Sequence, residues 1–258
     1  MKNKYSIYIV ILILLVGSLF KYNDILIDKG DSMFLQSDFQ KAESYYDKVF
    51  INYLYSTDSL LNKANTKFEL EKLTEGMDSL TKAEKKVIEE EDTEKLESIY
   101  YNKAYCYYKL ANYNSSIDYF NKYIKLDTED NFSYPIALKY LADSYFYEEN
   151  YDDSISILNK GIEISLKNDN KVVLLSLYDR LIDCYISKNE YDKALIVNEK
   201  LLESNPNEPY NYLTQFYLYR HSEGVEYSNK YLLQLKEKFP DNEKIDSFIN
   251  NLIKTDEQ

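Results

Sequence analysis

Imidazole and thiol chemistry is thinly supplied in this sequence. There is one histidine, His221, and there are two cysteines, Cys106 and Cys184. The cysteines lie far apart without a C-x-x-C pattern, so they read as small apolar helix residues rather than a metal pair or a disulfide. No H-E-x-x-H, P-loop or G-x-G-x-x-G pattern occurs. The acidic runs EEED at 89–92 and DTED at 127–130 lack the glycine and closing glutamate of a calcium loop. They read as solvated helix ends or turns. No catalytic set, metal or cofactor is expected. Tyrosine is abundant: 29 residues, seven of them in YYNKAYCYYKLANYNSSIDYF at 100–120. Such rings serve either packing or a partner.

The elements that must position them are set by composition. Apolar residues make up 45% of the 258 and aromatics 16%, ample for a core. Five glycines and four prolines are few, which suits long helices joined by short polar turns. A net charge of −13 argues against nucleic-acid binding, which needs a basic face to neutralise phosphates.

The N-terminus, MKNKYSIYIVILILLVGSLFK, stands apart. Lys2 and Lys4 precede an uncharged run over 5–20, and Lys21 closes it. As a helix the run spans about 24 Å at 1.5 Å per residue, short of a hydrocarbon core of about 30 Å but within reach of bilayer thinning and lysine snorkelling. It reads as an uncleaved signal-anchor of residues 1–22, contacting the membrane through 5–20. The alternative is an export signal cleaved near Ser18. The basic residues ahead of the run place the amino terminus in the cytoplasm and the rest outside.

Beyond it the chain repeats itself. From Leu26, Leu60, Tyr100, Leu138, Tyr178 and Tyr212, a bulky residue falls 13 positions later: Phe39, Leu73, Tyr113, Tyr151, Tyr191 and Val225. A small residue falls 16 later: Ala42, Gly76, Ser116, Ser154, Ala194 and Ser228. Constant offsets of this kind mark a repeat architecture. Before each bulky residue runs a helical stripe, as in Tyr100, Ala104, Tyr107 and Leu138, Ala142, Tyr145.

This pattern resembles the tetratricopeptide repeat family, with Gly30 in the first copy and closing prolines at Pro206 and Pro240. No tryptophan occurs, Lys67 replaces the second copy's tyrosine, and Phe216 stands where a small residue is expected. The resemblance implies an all-α fold: a right-handed α-solenoid of about six helix pairs over 23–240, preceded by a short N-terminal hydrophobic helix. The stripe Ile245, Phe248, Ile249 and Leu252 reads as a capping helix over 241–254, and 255–258 as a frayed tail.

For function the resemblance implies a non-enzymatic scaffold that binds a peptide or protein segment in a concave groove. The alternatives are a cytosolic or secreted peptide-binding sensor, or an accessory subunit of an enzyme complex. The chaperone-tail clamp of the family does not fit. Its Lys, Asn and Arg places hold Ile27, Asp31, Leu61, Asn65, Ser98 and Asn102, of which Asn65 alone matches. On each first helix, the positions one and five after the bulky residue point about 100° to 140° away from it by helical geometry, and the position eight after it forms a more apolar, partly packed row beside them. Those positions supply the candidate groove: Tyr101, Tyr105 and Tyr108, then Lys139, Asp143 and Phe146, then Asp179 and Asp183, and Tyr217. Rings beside carboxylates suit a segment carrying Lys or Arg. The plainer alternative is that Lys139 pairs with Asp179 or Asp143 on a solvated face. On the groove reading, Asp143 can be replaced without loss of folding.

Overall fold

A computed structural model describes residues 2–51, 54–126, 133–240 and 242–256. The acidic turn at 127–132 and the last two residues of the expected frayed tail lie outside the described residues. Among those described, every long element is an α-helix and there is no strand. The chain forms two compact units, Met1–Tyr123 and Ile124–Gln258. The first holds α1 (Lys2–Leu35), α2 (Phe39–Tyr46), α3 (Thr57–Glu69), α4 (Leu73–Glu89), α5 (Leu96–Lys109) and α6 (Tyr113–Ile124). The second holds α7 (Ser133–Tyr147), α8 (Tyr151–Lys167), α9 (Lys171–Ser187), α10 (Tyr191–Ser204), α11 (Pro209–Ser222), α12 (Val225–Lys238) and α13 (Glu243–Asp256).

Within each unit the helices pair in chain order. Two of the first helices pack on their own partner and on both helices of the pair before them: α3 on α4, α2 and α1, and α9 on α10, α8 and α7. The residues 13 after each bulky starter open the second helices, α2, α4, α6, α8, α10 and α12. One turn later the small residues Ala42, Ser116, Ser154, Ala194 and Ser228 are fully buried. A larger side chain there would hold the paired helices apart. Gly30 shows the tolerance: a Cβ built on it would lie 2.5 Å from the Tyr46 ring. That ring is fully buried and its hydroxyl donates to Asp31 at 2.6 Å, so it cannot swing aside. Phe216, the misfit of the sixth repeat, fills space against the cap, with its ring 5.3 Å from Phe248. Ile245, Phe248, Ile249 and Leu252 of α13 close over Tyr212, Leu232 and Leu235.

The turns inside the repeats explain how so few glycines suffice. Ser37, Glu71, Ala111, Glu149 and Asn189 all adopt positive φ, between 55° and 59°, at the same repeat position. At each, the next residue's N–H bonds back to the carbonyl five earlier, as from Asn112 to Tyr107 at 2.9 Å and from Asn150 to Tyr145 at 2.9 Å. This is the Schellman closure, which satisfies the last carbonyls of the helix. The same next residue then starts the second helix, and the Asp38, Asn112 and Asn150 side chains accept from backbone N–H groups of its first turn. Left-handed backbone costs a residue with a Cβ about 1–2 kcal/mol, partly offset by the looser unfolded chain that glycine brings. Glu71, Ala111 and Glu149 are exposed, so their side chains lose little on removal. The combined variant Glu71→Gly, Ala111→Gly, Glu149→Gly is therefore expected to gain about 1–2 kcal/mol, read as a higher urea midpoint.

The N-terminal helix is not a short separate element. α1 runs unbroken for 34 residues through the apolar run and into the first repeat. No glycine or proline lies between Phe20 and Leu26 to end it. Asn23 fixes the junction instead. It is fully buried, donates Nδ2 to the Leu19 carbonyl at 2.9 Å, and accepts from the Phe50 and Ile51 N–H groups at 2.9 and 3.0 Å. α1 is long and apolar enough over Ile7–Leu35 to cross a membrane, the one such helix among the described residues.

Candidate functional site

The candidate residues divide between the units. In the first, Tyr101 sets its ring edge-on to Phe120 and Tyr123, with centroids 6.1 and 5.5 Å away, and Tyr108 lies 6.0 Å from Tyr113. All three tyrosines of this set, Tyr105 included, are half-buried. Two of them are thus packing residues that keep only an edge for a partner. The apparent surplus of tyrosine is largely used up on α6: Tyr107 stacks on Tyr119 at 5.6 Å, and Tyr100 tilts against the same ring at 6.0 Å.

In the second unit the structure corrects the expectation for Asp143. Its side chain is 1% exposed. It accepts from Lys139 Nζ at 2.9 Å and from Arg180 Nε at 2.6 Å. Lys139 does pair with Asp143, but on a buried rather than a solvated face. The cause is Arg180, whose guanidinium bridges to Asp183 at 3.2 Å and lies 4.6 Å from the centre of the Phe146 ring. Charge-assisted forks of this kind need a planar donor. The chain has only two arginines, Arg180 and Arg220, among 31 basic residues. That scarcity was the available signal that Arg180 has a specific task.

A cleft of about 500 Å³ opens beside this network. Its walls are Asp179, Ile182, Asp183 and Ile186 of α9, Tyr210, Leu213, Thr214 and Tyr217 of α11, and Phe248 of α13. It gathers three of the candidate residues, Asp179, Asp183 and Tyr217, and leaves out Lys139, Asp143 and Phe146. Asp179 and Asp183 are exposed residues. Even so, desolvation by the surrounding walls raises both carboxyls above the ordinary aspartate range, and Asp183 pushes Asp179 further the same way. Arg180 opposes the rise at each. Asp179 has no ion-pair partner among the described residues. Tyr217 leans on His221 at 4.4 Å, and His221 stacks on Tyr191 at 4.7 Å, so the single histidine is a spacer between rings.

Residues 97–130 match the family model described as tetratricopeptide repeat. No curated protein matches the chain. Solved structures do. The crystal structure of MamA protein aligns with a TM-score of 0.59 at 22% identity, covering 72% of this chain and 93% of that one. PilF of Pseudomonas aeruginosa aligns at 0.56 and 13% identity, covering 91% and 99%. YrrB, described as a TPR protein with an unusual peptide-binding site, aligns at 0.56 and 17%, covering 76% and 92%. This is a tetratricopeptide-repeat fold. In tetratricopeptide terms, the cleft sits on the first helices of the last two repeats and is closed at one side by the cap. Six cleft residues lie outside the candidate groove, Ile182, Ile186, Tyr210, Leu213, Thr214 and Phe248, of which Ile182 and Phe248 belong to the packing stripes of α9 and α13. Only the meeting of those helices turns the edges of both stripes into a cleft floor.

Both cysteines are buried thiols. Cys106 donates to the Leu73 carbonyl at 3.5 Å, and burial pushes its pKa up to about 11. Cys184 lies 3.3 Å from the Ser154 hydroxyl and is likewise raised by burial. Neither has the thiolate character that nucleophilic chemistry needs.

Proposed function

We propose that the chain is a non-enzymatic interaction scaffold, held at a membrane by the apolar part of α1, whose second unit takes a protein or peptide segment carrying Lys or Arg. On this reading the amino terminus is cytoplasmic and both units lie outside. The observation that carries the partner's chemistry is the acidic pair Asp179 and Asp183 above the apolar floor of the cleft. The cleft walls desolvate both carboxylates, which is the main reason their pKa values are raised, and Asp183, one helical turn away, adds repulsion at Asp179. A partner cation relieves it, while Ile182, Ile186, Leu213 and Phe248 accept an adjacent apolar side chain. Tyr210 and Tyr217 offer ring faces to the same cation.

The test is capture of short synthetic peptides by the full chain, comparing Leu- or Phe-containing sequences flanked by Lys or Arg with the same sequences flanked by Glu. The basic set should bind preferentially and release with added salt. Binding should weaken as pH falls, starting above the ordinary aspartate pKa of about 3.9 because both carboxyls protonate early. Asp179→Asn with Asp183→Asn should abolish the preference and leave the melt unchanged or slightly raised. Equal capture of acidic and basic peptides, or an undiminished preference in the double variant, overturns the reading.

A further inference from the structure

Ten consecutive residues of α1, Ile7 to Val16, are exposed, each by 42% or more. At 100° per residue they cover every face of the helix, so nothing in the protein shields them. The apolar run ends at Phe20, and Asn23 stands only about 4.5 Å further along the axis. At that level Asn23 holds the loop after α2, with the Phe50 N–H 2.9 Å from its amide oxygen. Phe50 itself is 55% exposed. Tyr22 and Ile25, on α1 beside the clasp, are 51% and 41% exposed. Lys21 and Lys48 flank them and are exposed as well. A single exposed phenylalanine is ordinary on a protein surface. This one is tied to the helix at the place where the apolar run stops, because its own N–H and that of Ile51 both donate to the Asn23 side chain.

We propose that Phe50, with Tyr22 and Ile25, forms a collar that seats the first unit on the lipid headgroup interface, Lys21 and Lys48 reaching the phosphates. This rests on the reading of α1 as a membrane span. The interfacial zone is about 5–8 Å deep on each side of the hydrocarbon, the depth at which the Asn23 clasp places Phe50 when the run fills the core. A span of about 24 Å is shorter than that core, so mismatch draws the collar inward rather than lifting it into water. Aromatic rings and lysines are the side chains that favour this zone. The unbroken α1 leaves no flexible linker between span and unit, so the seating fixes the unit's orientation on the bilayer.

The chain contains no tryptophan, which makes a single introduced indole a clean reporter. The full-length variants Phe50→Trp and Leu12→Trp are reconstituted in phosphatidylcholine–phosphatidylglycerol vesicles with acyl chains brominated near the headgroup or near the methyl end. Leu12→Trp should be quenched most by the deep bromines. Phe50→Trp should emit to the blue of its lipid-free spectrum, resist aqueous iodide, and be quenched most by the shallow bromines. Deep quenching of Leu12→Trp with Phe50→Trp still red and open to iodide overturns the collar and leaves the anchor standing. Absence of bromine quenching at both positions overturns the two together.

Discussion

Asp143→Ala should destabilise the protein by about 3–5 kcal/mol, lowering the second unit's melting temperature by roughly 10–20 °C. The substitution leaves Arg180, 20% exposed, and Lys139, 26% exposed, without the carboxylate that neutralises both. Arg180 then keeps only the exposed Asp183, and leaving two half-buried cations without their shared buried carboxylate costs far more than losing a surface pair, which contributes only about 0–1 kcal/mol. Differential scanning calorimetry of the full chain reads the loss. Adding Arg180→Leu to Asp143→Leu should recover most of it, because a matched apolar pair strands one cation fewer and packs against Phe146. A melt unchanged by Asp143→Ala would show that the network is solvated and that Asp143 is free for a partner after all. The structure thus removes Asp143 from any test of binding: its loss would mimic loss of capture by loosening α7 and α9.

The second large effect is expected at Lys67. Its side chain is 4% exposed and pairs with Glu43 at 2.7 Å, Glu75 at 2.7 Å and Asp47 at 3.0 Å. Burial pulls its pKa down, but the hydrogen bonds it donates to Glu43, Glu75 and Asp47 outweigh it and hold the ammonium well above the usual lysine range. For Glu43, burial acts upward, and hydrogen bonds from Lys67 and Lys72 more than reverse it, leaving the carboxyl low. A raised lysine stabilises fully below its unfolded pKa of about 10.4 and stops as pH climbs through the folded value. A lowered glutamate stabilises above about 4.3 and is lost as pH drops through its folded value. Stability from this cluster is therefore flat across neutral pH and falls at both extremes. Lys67→Met keeps the stem volume and removes the central charge, leaving three carboxylates with only Lys72, bound to Glu43, beside them. We expect a loss of about 3–5 kcal/mol at pH 7. The gap to the wild type should narrow as pH is lowered toward 5, since protonation now relieves repulsion. A gap that widens on acidification would mean that Lys67 is not the centre of the cluster.

The pairing of helices was legible because its determinants are local. A bulky residue, a small residue and a ring at fixed offsets define which faces meet, and steric fit at Ala42, Ser154 or Ala194 depends little on what lies elsewhere. The capping stripe of α13 could be read for the same reason. The offsets also located the acidic positions Asp179 and Asp183, since periodicity assigns a residue to a helix face whatever its chemistry.

What a polar residue on such a face does was decided by tertiary structure. Asp143, Asp179 and Asp183 are alike in sequence, but Arg180 arrives from the next first helix, buries Asp143 and leaves Asp179 to the cleft. Lys67, an apparent defect of the second repeat, became the hub of an ion cluster because Glu43 and Asp47 come from the preceding pair. Asn23 ties α1 to a loop that follows α2, and no pattern within α1 announces it. Packing shape is written along one helix, whereas charge and hydrogen-bond partners come from segments tens of residues away. The sequence alone therefore determined which surfaces join, and the fold determined which of the remaining polar groups were left for a partner.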